Sequence, residues 1–391
     1  MKLVVVGFGQ CGGRIADEFA RLNRRARGQR GIDIIAGAFA VNTDVADLSG
    51  LTSIKPDYQH RILIGGRKTG GHGVGKINEL GAEIAREDGD KVIETIRMSR
   101  RFAEADAFLL IAGAAGGTGS GSVPVITQHI KERYADKPVY NLIVLPFEHE
   151  ESTEERTVYN VATCLKSSYL VADAVFLVDN QRYVMKDSPI RNNLAKINAA
   201  ITEPFYNLLC AGEEKKPKYI GAKILDAGDI IQTVTGWTTI GYGKSKISRT
   251  KNFFKRTRDF RNKATETQKG SQTMDEAISG LSLKCNPIES KRALYLVSAP
   301  AKEVSVDLIK ELGTYLKGLT PEAIIRSGDY PREGNSLEIT VILSELNDVE
   351  KIRSYFTKTI NLIATLKKRQ EGIASKSQGI EVTLKDIPSL L

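Results

Sequence analysis

The stretch Gly113-Ala114-Ala115-Gly116-Gly117-Thr118-Gly119-Ser120-Gly121 constrains the fold more than any other, because five of its nine residues lack a Cβ. Ala107 to Ala112, just before it, is the continuous apolar run of a buried strand. Ser122 to Ile130, just after it, reads as a helix with an apolar stripe. The unit is strand, glycine loop, helix. Glycines let backbone N–H groups approach an anion closely, and the helix N-terminus adds the positive end of its dipole. Thr118 and Ser120 supply hydroxyl donors. Such a loop suits a di- or triphosphate. A glycine turn without a ligand is the alternative, but ordering so many glycines costs much entropy for a mere turn.

The same grammar recurs along the first half. Lys2 to Val6 is a β-run, and Gly7-Phe8-Gly9-Gln10-Cys11-Gly12-Gly13 opens a helix from Arg14 to Asn23. Alone this GxGxxG would equally suit a nicotinamide dehydrogenase. A dinucleotide fold, however, places a lone acid about 20 residues past its glycines, and here the polar triplet Asn42-Thr43-Asp44 stands about 30 on instead. A basic loop is expected at Arg24 to Arg30. A third glycine loop, Gly65 to Lys76, is followed by helices at Ile77–Arg86 and Asp90–Arg101. Strands at Tyr140–Leu145 and Ala174–Val178 flank an acidic loop, Glu148 to Glu155. Alternating strands and helices predict a parallel, doubly wound α/β sheet with its ligand at the carboxyl ends of the strands.

The second half reads as a smaller α+β unit. Ser188-Pro189 resembles a helix start, and the helix should run to Ala211 with Pro204 inside it. Asp226 and Asp229 stand three apart, on one face if the turn is helical. Lys244 to Lys263 is densely basic with interleaved phenylalanines, and Gly270 to Thr273 reads as the flexible end of that loop. A solvated loop explains the basic run more simply than nucleic-acid contact. The net charge of +9 is concentrated in such local clusters, so no nucleic-acid partner is expected. The four cysteines form no CxxC pair and the four histidines no paired spacing, which argues against disulfides and zinc and fits a reducing cytoplasm. No apolar run reaches membrane-spanning length.

These residues resemble one family. Ala115 to Gly121 is similar to the GGGTGTG signature of tubulins, with Ala115 for the first glycine. Gly9-Gln10-Cys11-Gly12-Gly13 resembles their first phosphate loop, and Asn42-Thr43-Asp44 the NTD loop of FtsZ. With Gly71-His72-Gly73-Val74-Gly75 and Asn78 to Ala85, the chain most resembles CetZ, the archaeal tubulin-like branch, over about residues 1–366. The resemblance implies a Rossmann-like GTPase domain at 1–187, a central helix at 188–211, and an activation domain at 212–391 with a basic loop at 244–273 and a disordered tail. It implies GTP/GDP and Mg²⁺ as cofactors, and head-to-tail self-assembly into filaments in the cytoplasm, with no direct membrane insertion.

Carried over, Gly9, Gln10, Cys11, Gly12 and Ala115, Gly116, Gly117, Thr118, Gly119, Ser120 would hold phosphates. Asn42, Asp44, Gly71, His72 and Gly73 would lie near Mg²⁺ and the γ-phosphate. Glu150 would meet the ribose, with Glu151 and Glu154 as alternatives. Asn180 and Asn198 would read guanine. Asp226 and Asp229 match the carboxylates that orient the attacking water in a neighbouring subunit; their alternative role is helix capping. Ile224 replaces the usual Asn of the activating loop, and Leu194 the aromatic that stacks on the base. The implied function is a filament-forming GTPase of cell shape or motility. A division-ring protein of FtsZ type, a non-hydrolysing GTP-dependent scaffold and a dehydrogenase are the rivals.

Overall fold

The computed structural model describes residues 1–184, 190–247 and 260–364; of residues 190–192 and 260–267 only the backbone is described. The elements in chain order are β1 (Leu3–Phe8), α1 (Gly9–Arg30), β2 (Ile35–Asn42), α2 (Val45–Ser49), β3 (Arg61–Leu63), α3 (Gly66–Thr69), α4 (Asn78–Arg97), β4 (Ala107–Gly113), α5 (Thr118–Arg133), β5 (Val139–Leu145), α6 (Glu148–Thr153) and α7 (Glu155–Val171). They continue with β6 (Ala174–Asp179), α8 (Ile190–Ala211), α9 (Ala227–Thr233), β7 (Gly236–Lys246), α10 (Phe260–Ser279), β8 (Ser290–Ser298), α11 (Val306–Leu319), β9 (Ile324–Asp329) and β10 (Ser336–Leu346). A last helix, α12, spans 350–364.

All ten strands form one sheet, in the order β3-β2-β1-β4-β5-β6-β7-β10-β8-β9. From β3 to β7 every pair is parallel, as the strand–helix alternation requires. β10 then pairs antiparallel with β7 and β8. β1, β4 and β5 are almost wholly buried and read as apolar runs, because helices cover both faces. The seam between the two parts of the sheet is narrow. β6 and β7 pair over three residues, Ala174↔Gly236 to Phe176↔Thr238. The fold is the doubly wound α/β sheet with a smaller α+β unit that the sequence predicts.

Several local expectations change. The Arg24–Arg30 segment is the last two turns of α1 and not a loop. Its charges find partners on α8: Arg25 makes a bidentate pair with Glu203 and Arg30 donates to Asn207. The two helices expected at 77–101 are one, α4. Gly89 does not break it, because that glycine lets α4 approach α5; a Cβ there would lie 2.6 Å from His129 Nδ1. The acidic segment Glu148–Glu155 forms α6 and the start of α7, with three glutamates in the first turn of α6, where the helix dipole favours them. Of the basic segment 244–273, Lys244 to Lys246 belong to β7 and 260–273 to α10. Gly270 serves a close helix contact, since its Cβ would meet Leu308 of α11 at 2.4 Å. Residues 248–259, the Ser188-Pro189 helix start and the tail beyond 364 lie outside the described residues.

Candidate functional site

β1, β4, β5 and β6 end along one edge of the sheet, and a cavity of about 690 Å³ opens there. Two helices begin at its wall. α1 starts at Gly9 directly after β1, and α5 starts at Thr118 four residues after β4. Neither has a side-chain cap at its N-terminus. The first backbone N–H groups of both helices have no partner within their helix, and both positive dipole ends converge on the cavity. Adjacent parallel strands with helices of the same sense make this convergence unavoidable. The result suits a polyanion.

The glycines divide into two jobs. Gly9 has φ 67° and faces Gly119 N at 3.1 Å from its would-be Cβ, so the two phosphate-type loops touch each other. Gly9, Gly73, Gly116, Gly117 and Gly119 line the cavity, with Gln10, Cys11, Ala115 and Thr118. Gly12 and Gly121 do not line it. A Cβ on Gly12 would strike Ile111 O at 2.1 Å, and one on Gly121 would strike Asn78 O at 2.1 Å. They let α1 approach β4 and α5 approach α4. Gly71 and His72 do not line the cavity either: Gly71 O accepts from Val45 N, and exposed His72 bridges Asp44. Ser120 turns inward, its hydroxyl donating to Gly116 O.

Polar contacts set the remaining wall. The Thr43 and Thr118 hydroxyls share a hydrogen bond of 2.6 Å. Asp44 lines the cavity, and one of its oxygens caps α2 by accepting from Ala46 N and Asp47 N. Asp47 accepts from the amides of both Gln10 (2.7 Å) and Asn42 (3.0 Å), so one carboxylate orients two lining side chains. Burial pushes the Cys11 thiol up to about 12, with nearby Glu150 adding to the shift, so the sulfur faces the cavity as a neutral thiol. Asn160 holds the loops from behind. Its amide nitrogen donates to Lys76 O (2.9 Å), Ala115 O (3.0 Å) and Gly116 O (3.2 Å).

The three candidate glutamates separate cleanly. Glu150 lines the cavity, with one oxygen accepting from Phe147 N at 2.9 Å. Glu151 points to Tyr355 and Lys358 of α12, and Glu154 pairs with Lys76. Asn180 and Asn198 also line the cavity, together with the apolar Leu194 and Ile197. Asn180 follows Asp179, which accepts from Gln181 N and pairs with Lys351 at 2.8 Å. The rings of Phe147 and His149 stack at 5.6 Å beside them.

Asp226 and Asp229 are elsewhere. The cavity touches α8 at Asn193 to Asn198, whereas Asp226 Cα lies 3.0 Å from the would-be Cβ of Gly212, just past the end of α8. At 1.5 Å per residue those points are about 20 Å apart along the helix. Asp226 caps α9 by accepting from Asp229 N, and is exposed. Asp229 pairs with Arg326 at 3.3 Å. Ile224, beside them, is 49% exposed.

Sequence reasoning missed Arg14, Asp47, Lys76, Phe147, His149 and Gln181 in the wall, and Asn160 behind it. Only Asp47, three residues from the NTD triplet, had a readable signal. Asn160 sits on a helix far along the chain, and nothing in its neighbours marks it. Among the described residues no helix is long and apolar enough to cross a membrane.

Comparison with known proteins gives a consistent picture. The Tubulin/FtsZ family GTPase domain matches residues 2–185, and the C-terminal domain of tubulin-like CetZ matches residues 187–361. The tubulin-like protein CetZ1 of Haloferax volcanii is 33% identical, over 90% of this chain and 90% of its own. The structure of CetZ1 from Haloferax volcanii as a GDP-bound monomer superposes with TM-score 0.78 at 30% identity, covering 93% of this chain and 99% of that one. The GTPγS-bound protofilament of CetZ2 from the same organism gives 0.80 at 28% identity, covering 94% and 100%.

Proposed function

The chain belongs to the tubulin/FtsZ family, in its CetZ branch, and from that premise we propose that it is a GTP-binding cytoskeletal protein of cell shape or motility. It assembles head to tail into filaments and hydrolyses GTP where two subunits meet. One observation carries the reading: a polyanion cavity at one end of α8 and two acidic side chains at the other. A single molecule keeps these about 20 Å apart. Stacking subunits along α8 brings the carboxylates of one to the terminal phosphate of the next, and the relative solved as a GTPγS-bound protofilament supports such stacking.

In this arrangement the N-terminal turns of α1 and α5 hold the phosphates, Thr118 donates to them, and Glu150 meets the ribose. Asn180 and Asn198 pair with the guanine edge, since an amide offers both donor and acceptor. Asp226 and Asp229 of the neighbour orient water for attack on the γ-phosphorus, and positioning with charge stabilisation is most of what phosphoryl transfer needs. Among the described residues no group of three or more His, Cys, Asp or Glu forms a metal site by itself. Asp44 and Asp47 nonetheless fit a magnesium ion that takes its other ligands from phosphate and water. Bound there, it would neutralise charge on the terminal phosphates. Exposed Ile224 leaves the activating loop one polar side chain short, which favours slow turnover and long-lived filaments.

The test is phosphate release and pelleting across a range of protein concentrations. Specific activity should rise with concentration. Asp229→Ala should bind GDP normally, hydrolyse GTP far more slowly and form filaments that persist. Mixing it with Thr118→Val should restore part of the turnover, because one mixed interface pairs an intact cavity with intact carboxylates. Specific activity independent of concentration, or lost GDP affinity in Asp229→Ala, would refute the shared site.

A further inference from the structure

Lys76 is the feature of the cavity that the proposed chemistry leaves without a task. It is one of only two non-glycine residues with positive φ among those described, at 62°. Few side chains tolerate that conformation, and one that persists must be held by its surroundings. Here the hold is visible. The Asn160 amide fixes Lys76 O, and the same nitrogen reaches Ala115 O and Gly116 O. Lys76 C lies 3.0 Å from the position a Gly117 Cβ would take. The lysine is therefore docked directly on the loop that precedes α5.

Charge adds a second line. Among the described residues lining the cavity, the negative groups are Asp44, Asp47 and Glu150, and the full positive charges are Arg14 and Lys76. Arg14 lies on α1, near Cys11. Lys76 ends the third glycine loop and lines the cavity with Gly73 and Asp44, an oxygen of Asp44 lying 3.9 Å from where a Gly73 Cβ would be; with the inner phosphates on the first turns of α1 and α5, this loop is the part of the wall left for the outermost one. Its ammonium meets Glu154 at 2.5 Å, and both side chains are 43% exposed. An exposed pair of this kind is weakly held, because water and salt screen it and two long side chains must be ordered to keep it. A phosphate with two negative charges is the stronger partner.

We propose that Lys76 is a ligand of the terminal phosphate of a nucleoside triphosphate, and that Glu154 is its resting partner when that phosphate is absent. This rests on the reading of the cavity as a GTP site. On binding a triphosphate, the ammonium leaves Glu154 and pairs with a γ-phosphate oxygen. On loss of that phosphate it returns. The exchange breaks a tie between the third glycine loop and the segment joining α6 to α7.

The experiment is calorimetric titration of the full chain with GTPγS and with GDP. Lys76→Gln keeps a polar side chain, one atom shorter, and removes the charge; loss of a charge-assisted hydrogen bond predicts roughly tenfold weaker GTPγS binding, with GDP affinity unchanged. Lys76→Arg should restore most of the preference. Glu154→Gln, which frees the ammonium, should leave GTPγS binding equal or tighter. Equal losses for both nucleotides in Lys76→Gln, or no loss, overturn the assignment. Weaker GTPγS binding by Glu154→Gln also overturns it, because the pair would then be a brace. Wild type that binds neither nucleotide refutes the GTP site itself; wild type that binds both isolates any failure to Lys76.

Discussion

Asn160→Ala separates the support of the phosphate loops from contact with the ligand. The side chain is fully buried, its Oδ1 has no partner, and its amide nitrogen serves three carbonyls. Two amide protons can satisfy about two of these at a time, so truncation forfeits roughly 2–3 kcal/mol at about 1–1.5 kcal/mol per bond. Oδ1 makes no bond that could be lost with it. If the nucleotide binds only ordered loops, the loss passes into affinity, and 2 kcal/mol is about 30-fold. Calorimetry with GDP should show this drop, and a thermal melt without nucleotide should show a smaller loss, since the rest of the sheet does not depend on the residue. Asn160→Asp should be at least as harmful, because it keeps the shape and turns the donor into an acceptor facing carbonyls. Wild-type GDP affinity in both variants would refute the argument.

Two further outcomes follow from the same walls. Gly121→Ala places a Cβ against Asn78 O, Ala82 N and Gly81 C, all backbone, so α4 and α5 must part; overpacking of this kind costs about 1–3 kcal/mol, and a denaturant midpoint equal to wild type would contradict it. Asn180→Ala and Asn198→Ala should each weaken GDP binding by about 1–3 kcal/mol through an unpaired base edge while changing ADP binding less, and parallel losses would assign these residues to structure instead.

The sequence made the sheet legible because buried parallel strands are continuous apolar runs, and β1, β4, β5 and β6 all are. It made the cavity legible because glycine loops stand at the strand ends. What it concealed was which glycine does what. Gly116 lines the cavity with open space around it, Gly117 and Gly119 line it and also let a neighbouring segment come close, and Gly12, Gly81, Gly89, Gly121 and Gly270 serve only the close approach of one element to another. A local pattern cannot tell these jobs apart, because the crowding atom comes from a distant segment. Arg24 to Arg30 misled for the same reason. Five charged or polar residues in seven read as a loop until α8 supplies Glu203 and Asn207.

That pairing also bears on how the two ends of the molecule are joined. α1 offers its N-terminus to the cavity and its last turns to α8. Arg25 and Arg30 both stack on the Tyr206 ring, at 3.7 and 3.9 Å, while Asn207 donates onward to Glu338 of β10 at 2.8 Å. Met1 N adds a bond to Leu209 O at 3.0 Å. Sliding α8 along α1 by one turn would break every one of these. It would leave Arg30, only 9% exposed, as a buried charge without its amide partner, and stranding a buried charge costs several kcal/mol. The contacts therefore favour α1 and the C-terminal half of α8 moving as one piece. In that geometry Gly212, directly after α8, packs its backbone against Leu225 and Asp226, so the same piece borders the segment that holds the carboxylates.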